Sequence, residues 1–310
     1  MVIINSQNAQ LCNRLFGFSS FIANSLTYKY QLVNIGFHKY QPYFEATKNN
    51  DFDGFPISVR RSFSPKLDYF YSNLFKNWFS FTHRKFGKTP TLKKFYHTTF
   101  SNDLIPKIFD LNDPGFVADA QQKNILVQGW MFRDLSGLRK HRTTICKFFI
   151  PVEPYRTEVA AIVAEAKTKA NVLIGVHIRR GDYKNFNDGK WFYSDEDYAR
   201  WMKILESKYA TLGQTCVFLI ASNDVVDISN FEGLDILCEQ RHFIVDLYLL
   251  AACDSIIGPP STYSQWAAFY GDKPLSMLLE AGQSVDIATF NPTLLPEEDF
   301  LGKELYKFTV

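Results

Sequence analysis

The sequence has no apolar run approaching the roughly 18 to 20 residues that a membrane-spanning helix needs, and its N-terminus lacks the basic stretch and apolar run of a signal peptide. A strand-like run, Met1 to Ile4, begins at once. The expectation is a cytoplasmic protein, or one peripheral at the inner face of a membrane. Five cysteines (Cys12, Cys146, Cys216, Cys238 and Cys253) are odd in number, scattered and free of any CxxC, which argues against a disulfide framework and a structural zinc site. His38, His83, His97, His141 and His242 show no ligand spacing and read as ordinary surface or core histidines. Neither GxGxxG nor GxxxxGKS/T occurs, which leaves a nicotinamide enzyme or a P-loop ATPase without a motif. No internal repeat or low-complexity tract is visible.

What is present suits a globular protein. At 310 residues, 46% hydrophobic and 21% charged, the chain is long enough for two domains with separate cores. Its 29 Phe and 16 Tyr suit a core, or the stacking of sugars and bases, and composition does not choose between these. The net charge of +2 hides an asymmetry: Phe55 to Phe100 holds nine Lys/Arg against Asp68, giving +8 and leaving the remainder at −6. Such a patch calls for an anionic partner.

The chain opens strand, loop, helix, strand: Met1 to Ile4, a polar loop to Cys12, a helix from Asn13 to Tyr30 with Leu15, Phe18, Ile22 and Leu26 on one face, and Leu32 to Ile35. Asn13 and Arg14 open that helix, where free N–H groups favour anions or sugar hydroxyls; Asn13 equally reads as a simple cap. His38 to Phe55 reads as loop. Lys66 to Phe81 carries a broad apolar stripe, a core face or else an interfacial helix. Asn124 to Trp130 reads as a strand, Arg133 to Phe149 as a helix, and Pro151 and Pro154 mark a boundary. The second half alternates helix and strand: helix Arg156 to Lys169, strand Val172 to Ile178, a capping-box helix from Ser194 with Asp197, strands Val217 to Ala221, Asp235 to Cys238, Ser255 to Gly258 and Pro274 to Leu279, and helices from Asp246 and from Ser261 to Tyr270. This pattern predicts a mainly parallel, Rossmann-like sheet.

Chemistry gathers where those strands end. The stretch VLIGVHIRRGDYKNFNDGKWFY runs from a β-branched core into His177, Arg179, Arg180 and Asp182. Paired arginines at a strand end suit a diphosphate, whose oxygens accept forked hydrogen bonds. Ser222-Asn223-Asp224 and Pro259 to Ser264 end neighbouring strands and share that sheet edge. Ser261, Thr262 and Ser264, at a helix start, form a candidate phosphate cradle.

HIRRGDY with its aromatic follow-on, QLCNRLFGF near the N-terminus and PSTYSQWAAFYG near the C-terminus resemble the α-1,2-fucosyltransferase family and its superfamily of GDP-fucose-dependent transferases. The resemblance spans the first 35 residues and about 125 to 280. It implies an α/β, GT-B-type fold of two Rossmann-like domains facing a cleft, and an inverting, metal-independent transfer of fucose from GDP-fucose to a hydroxyl of a glycan. The expected domains are 1–152, acceptor-side with an aromatic and basic insertion over about 38–123, and 153–310, binding the nucleotide sugar. Carried over by position, Arg179 and Arg180 grip the diphosphate, His177 lies near the nucleoside, Asp246 reads guanine, Ser261 and Thr262 lie near phosphates, and Asn13 and Arg14 face the cleft. Asn223, Asp224 and Ser264 complete the expected donor site. Where the family usually has glycine this chain has Cys12, and Gln7 to Gln10 lacks the usual glycines. A carboxylate suits guanine's two adjacent N–H donors, although an Asp at a helix start also reads as a cap.

The departing diphosphate needs a cation, for which Arg179 is the choice. Asp182, Asp188, Asp195 and Glu196 are the carboxylates available to take the acceptor's proton, with Asp182 and Asp188 carried forward as catalytic candidates. Asp182 also reads as a brace for an arginine, and Asp195 and Glu196 as ordinary acids of a helix's first turn. The acceptor is a glycan, lipid-linked or anionic in one version, with peripheral membrane contact through 55–100 and no nucleic acid. Two other readings stand: the same fold with another nucleotide sugar, and a basic-patch binding module with a vestigial nucleotide pocket.

Overall fold

In the computed structural model the described residues are 1–6, 10–60, 70, 74, 96–100, 108–129 and 131–290. Apart from Phe70 and Leu74, the sequence-predicted stripe Lys66 to Phe81 lies outside them, as does most of the basic segment. The chain divides into two compact units between Val152 and Glu153.

The first unit contains β1 (Val2–Ile4), α1 (Leu11–Tyr28), β2 (Leu32–Asn34), α2 (Glu45–Asn49), β3 (Ile57–Val59), β4 (Tyr96–Phe100), β5 (Phe109–Asp110), α3 (Pro114–Gln122), β6 (Asn124–Gln128), β7 (Phe132–Arg133), α4 (Leu135–Lys140) and α5 (Arg142–Phe148). Five strands form a parallel sheet in the order β3-β2-β1-β6-β4. Its aromatics are core: Phe16, Phe18, Phe21, Phe37, Phe44, Phe132, Phe148 and Phe149 are fully buried. They meet edge to face, as at Phe44–Phe149 (5.5 Å, 90°) and Phe18–Phe149 (5.9 Å, 77°), the arrangement a ring quadrupole favours.

The second unit contains α6 (Glu153–Lys169), β8 (Val172–Ile178), α7 (Asp195–Thr211), β9 (Cys216–Ser222), β10 (Ile236–Cys238), α8 (Phe243–Ala252), β11 (Ser255–Gly258), α9 (Thr262–Gly271) and β12 (Leu275–Met277). Its sheet, β10-β9-β8-β11-β12, is wholly parallel with β8 at the centre. All seven β8 residues are buried, as a parallel strand covered on both faces requires. The period-2 alternation divides them: Val172, Ile174, Val176 and Ile178 pack with Trp201, Met202 and Leu205 of α7, while Leu173 packs with Ala166 and Cys253 on the other face. At Gly175 a Cβ would lie 2.8 Å from Leu250 Cδ2, so the missing side chain lets α8 approach the strand. The Ser194–Asp197 capping box is formed and starts α7.

Several sequence-predicted boundaries move. α1 begins at Leu11 after Gln10, whose side chain caps nothing, so Asn13 is its third residue and not its cap. α8 begins at Phe243, capped by His242 Nδ1, which accepts from the Ile244 N–H; Asp246 lies inside the helix and is not a cap. The expected helix from Arg133 to Phe149 is two, broken at His141, and the expected loop from His38 to Phe55 contains α2. Among the described residues no helix is long and apolar enough to cross a membrane.

The first unit is tied by the buried carboxylate of Asp134, which accepts hydrogen bonds from Asn24 Nδ2 (3.1 Å), Asn112 Nδ2 (2.9 Å) and the Gly137 N–H (2.7 Å). Replacing Asp134 with Ala removes one partner of buried Asn24 and the cap of α4, so equilibrium urea unfolding is expected to show a loss of about 3 kcal/mol.

Candidate active site

β8 delivers His177 to the sheet's carboxyl edge. His177 is buried, its ring centroid lies 5.0 Å from that of Tyr263, and its Nδ1 has no hydrogen-bond partner among the described residues. Burial, with Arg179 as a lesser cause, lowers its pKa to about 3, so the imidazole is neutral at physiological pH. Gly258, on neighbouring β11, makes room for it: a Cβ there would lie 2.9 Å from His177 Cβ.

The two arginines that follow have different surroundings. Arg180 is buried, and its guanidinium donates to the Tyr193 carbonyl and to Asp195 Oδ1. It lies near the rings of Phe192 (5.2 Å) and Tyr198 (5.7 Å), while its backbone N–H donates to Asn223 Oδ1 at 2.7 Å. Those partners hold Arg180 inside the protein and make Asn223 a brace of the loop. Arg179 instead pairs with Asp182 (2.6 Å) over the Tyr183 ring (5.3 Å), and Asp182 is 54% exposed. An ion pair with so exposed a partner is weak and can be exchanged for a ligand's oxyanion.

Post-strand segments converge through residues that sequence reasoning passed over. The Tyr183 hydroxyl donates to the Pro260 carbonyl, joining the loop after β8 to that after β11. The Tyr263 hydroxyl donates to the Phe243 carbonyl (2.6 Å), joining the start of α9 to that of α8. Their signal was weak because tyrosines on these loops look like core or stacking material. Ser261 caps α9, accepting from the Tyr263 N–H (3.2 Å), and Thr262 is half-buried beside it. Ser264 is turned away: it is fully buried and its hydroxyl donates to the Ser261 carbonyl (3.1 Å). Asp224 is exposed and accepts from the Val225 N–H (2.8 Å).

The candidate bases separate in the same way. Asp182 holds Arg179, Asp195 holds Arg180, and exposed Glu196 sits in the first turn of α7. Asp188 is exposed, with no cationic partner within 4 Å among the described residues. It lies in a left-handed turn formed by Asn187 (φ 52°), Asp188 (φ 54°) and Gly189 (φ 75°), residue types that adopt this conformation more readily than others. Asn13 and Arg14 belong to the first unit, at a small pocket with Ser6, Asn34, Phe18 and Phe37. Arg14 Nη1 donates to the Gly36 carbonyl (2.8 Å). Among the described residues no cluster of His, Cys, Asp or Glu is arranged to hold a metal ion.

Asp246 is 6% exposed on α8, and its pKa is pushed up to about 7, chiefly by burial, with Glu158 adding and Arg241 opposing. The native state therefore holds a proton that the unfolded chain releases near pH 4, and unfolding free energy falls as pH rises from about 4 to 7. Urea unfolding of wild type and Asp246→Asn at pH 5 and pH 8 checks this: the wild type is expected to lose more stability between the two pH values, by on the order of a few kcal/mol.

The sequence model of glycosyl transferase family 11 matches residues 135–307. No curated protein matches. Among solved structures, a mutant of Arabidopsis thaliana FUT1 with GDP superposes with a TM-score of 0.59 at 14% identity, covering 90% of this chain and 70% of that one. The fucosyltransferase NodZ from Bradyrhizobium gives 0.52 at 15% identity, covering 94% and 96%. POFUT1 with GDP-fucose gives 0.52 at 12%, covering 91% and 95%. At such identities the likeness is one of fold, the α/β, GT-B type with two Rossmann-like domains. With its matched segment spanning more than half of the sequence, including the whole edge from β8 to β12, the chain belongs to glycosyl transferase family 11, a family of fucosyltransferase enzymes.

Proposed function

We propose that this enzyme transfers fucose from GDP-fucose to a hydroxyl of a glycan, forming an α-1,2-type linkage with inversion and without a metal ion. The observation that carries the reading is Arg179: a guanidinium just past the end of the central strand, beside a neutral imidazole and paired with an exposed carboxylate. The GDP and GDP-fucose held by the FUT1 and POFUT1 structures support the donor, and the motif resemblance supports the linkage. In this reading residues 153–310 bind the donor and residues 1–152 supply the acceptor side. His177, Arg179, Asp246, Ser261 and Thr262 are donor ligands, while Arg180 and Asn223 hold the loop that presents Arg179. An acidic or lipid-linked acceptor, met through the basic segment 55–100 at a membrane surface, is supported by that segment's charge alone.

The chemistry is a single displacement. The acceptor oxygen attacks the anomeric carbon as the bond to the diphosphate breaks, the hydroxyl proton passes to a carboxylate, and GDP departs with the electron pair. Charge grows on the departing diphosphate, and a guanidinium already in place meets it without reorganisation. Asp188, exposed and without an ion partner among the described residues, is the proposed proton acceptor.

The two arginines give opposite expected outcomes. Arg179→Ala lowers turnover with GDP-fucose by at least about a hundredfold and leaves the unfolding midpoint unchanged. Arg180→Met breaks a buried pair and lowers unfolding free energy by about 3 kcal/mol. Near-normal turnover in Arg179→Ala would overturn the central assignment. Chelator leaves turnover unaltered in a metal-independent enzyme, and calorimetry that shows binding of a UDP-sugar but none of GDP would assign the fold to another donor.

A further inference from the structure

Arg241 lies one turn before Asp246 and was not singled out by its sequence context, yet only 4% of its side chain is exposed. A buried guanidinium is stable when its donors close on good acceptors, and this one does not. Its Nη1 is 3.8 Å from Asp246 Oδ1 and its Nη2 is 3.6 Å from Glu239 Oε2, both beyond hydrogen-bond distance. Nη1 makes one long hydrogen bond, to the Glu239 carbonyl (3.4 Å). Arg241 Nε and Asp246 Oδ1 are both buried without a hydrogen-bond partner among the described residues. The arrangement is a donor and an acceptor side by side, both dehydrated and neither satisfied by the other. Buried groups left this way are costly, and a ligand that presents an acceptor next to a donor relieves both at once.

Resting on the reading of GDP-fucose as donor, we infer that Arg241 determines the choice of base: its guanidinium donates to guanine O6 while Asp246 accepts from the neighbouring N1–H and the 2-amino group. Arginine is matched to O6 of guanine in the same sense when proteins read DNA. Adenine reverses both contacts, setting its amino group against the guanidinium and its bare N1 against the carboxylate, so the pair repels adenine as well as attracting guanine. Uracil offers a carbonyl and an N–H in the same order but has a second carbonyl where guanine has its amino group. The neighbouring charges are Glu158 and the exposed Glu239, and His242 stacks on Tyr155 (4.7 Å, 19°) beside the start of α8.

Calorimetry on the full chain with GDP, 6-thio-GDP and ADP tests the assignment, because sulfur in place of O6 removes a good acceptor and little else. The wild type is expected to bind GDP about tenfold more tightly than 6-thio-GDP, the worth of one charge-assisted hydrogen bond, and ADP more weakly still. In Arg241→Met the preference for GDP over 6-thio-GDP disappears, and in Arg241→Lys it partly returns. Equal affinity of the wild type for GDP and 6-thio-GDP overturns the inference without recourse to any variant. An undiminished preference in Arg241→Met overturns it too, and in either case tight GDP binding leaves the donor reading standing. Binding of a UDP-sugar with none of GDP removes both.

Discussion

The second unit's site depends on the burial of one guanidinium, that of Arg180. Arg179 and Arg180 follow the last residue of β8 and have different surroundings. The protein closes Arg180 on Tyr193, Asp195 and two aromatic rings. A charge that deep is tolerable only with its partners in place, which fixes the loop from Gly181 to Tyr193 against α7. Arg179 lies instead on Tyr183 and an exposed carboxylate. A doubled arginine thus becomes one buried anchor and one guanidinium paired with an exposed carboxylate.

That division explains what could be read in advance. β8, β9 and β11 were legible because a strand buried on both faces reads as a near-continuous apolar run, and Val172 to Ile178 is one but for His177. The capping box at Ser194 was legible because its two residues speak for themselves. The starts of α1 and α8 were not: Gln10 caps with no side chain, and His242 caps through a ring nitrogen that composition does not advertise. α2 was missed because five residues are too few to show a period. In the site, the residue types of the HIRRGD stretch were visible, whereas the separate fates of Arg179 and Arg180 depend on Asp195 and Asn223, distant partners that no local pattern reveals. Gly258 is similar, since its meaning lies in the ring opposite it on β8.

The same desolvation runs through the rest of this sheet edge. It keeps His177 neutral beside a cation, where a buried imidazolium would repel Arg179 and carry its own desolvation cost. A neutral ring can offer a hydrogen bond without changing the charge of the site.

Asp246 shows how narrowly such effects are balanced. α8 is buried around almost its whole circumference, packed against β8, α6 and α9, and Asp246 is the one acid among its buried residues. Its place near the helix N-terminus favours the ionised form, as does Arg241, yet burial prevails and brings the group close to half protonation at neutral pH. A carboxylate poised there is moved decisively by any partner that brings two N–H donors, because each hydrogen bond stabilises only the ionised form. The carboxylate and the guanidinium beside it do not satisfy one another at 3.8 Å; on the inference that the pair reads guanine, the ligand supplies what neither obtains from the fold, and the instability of the empty pair is part of the affinity.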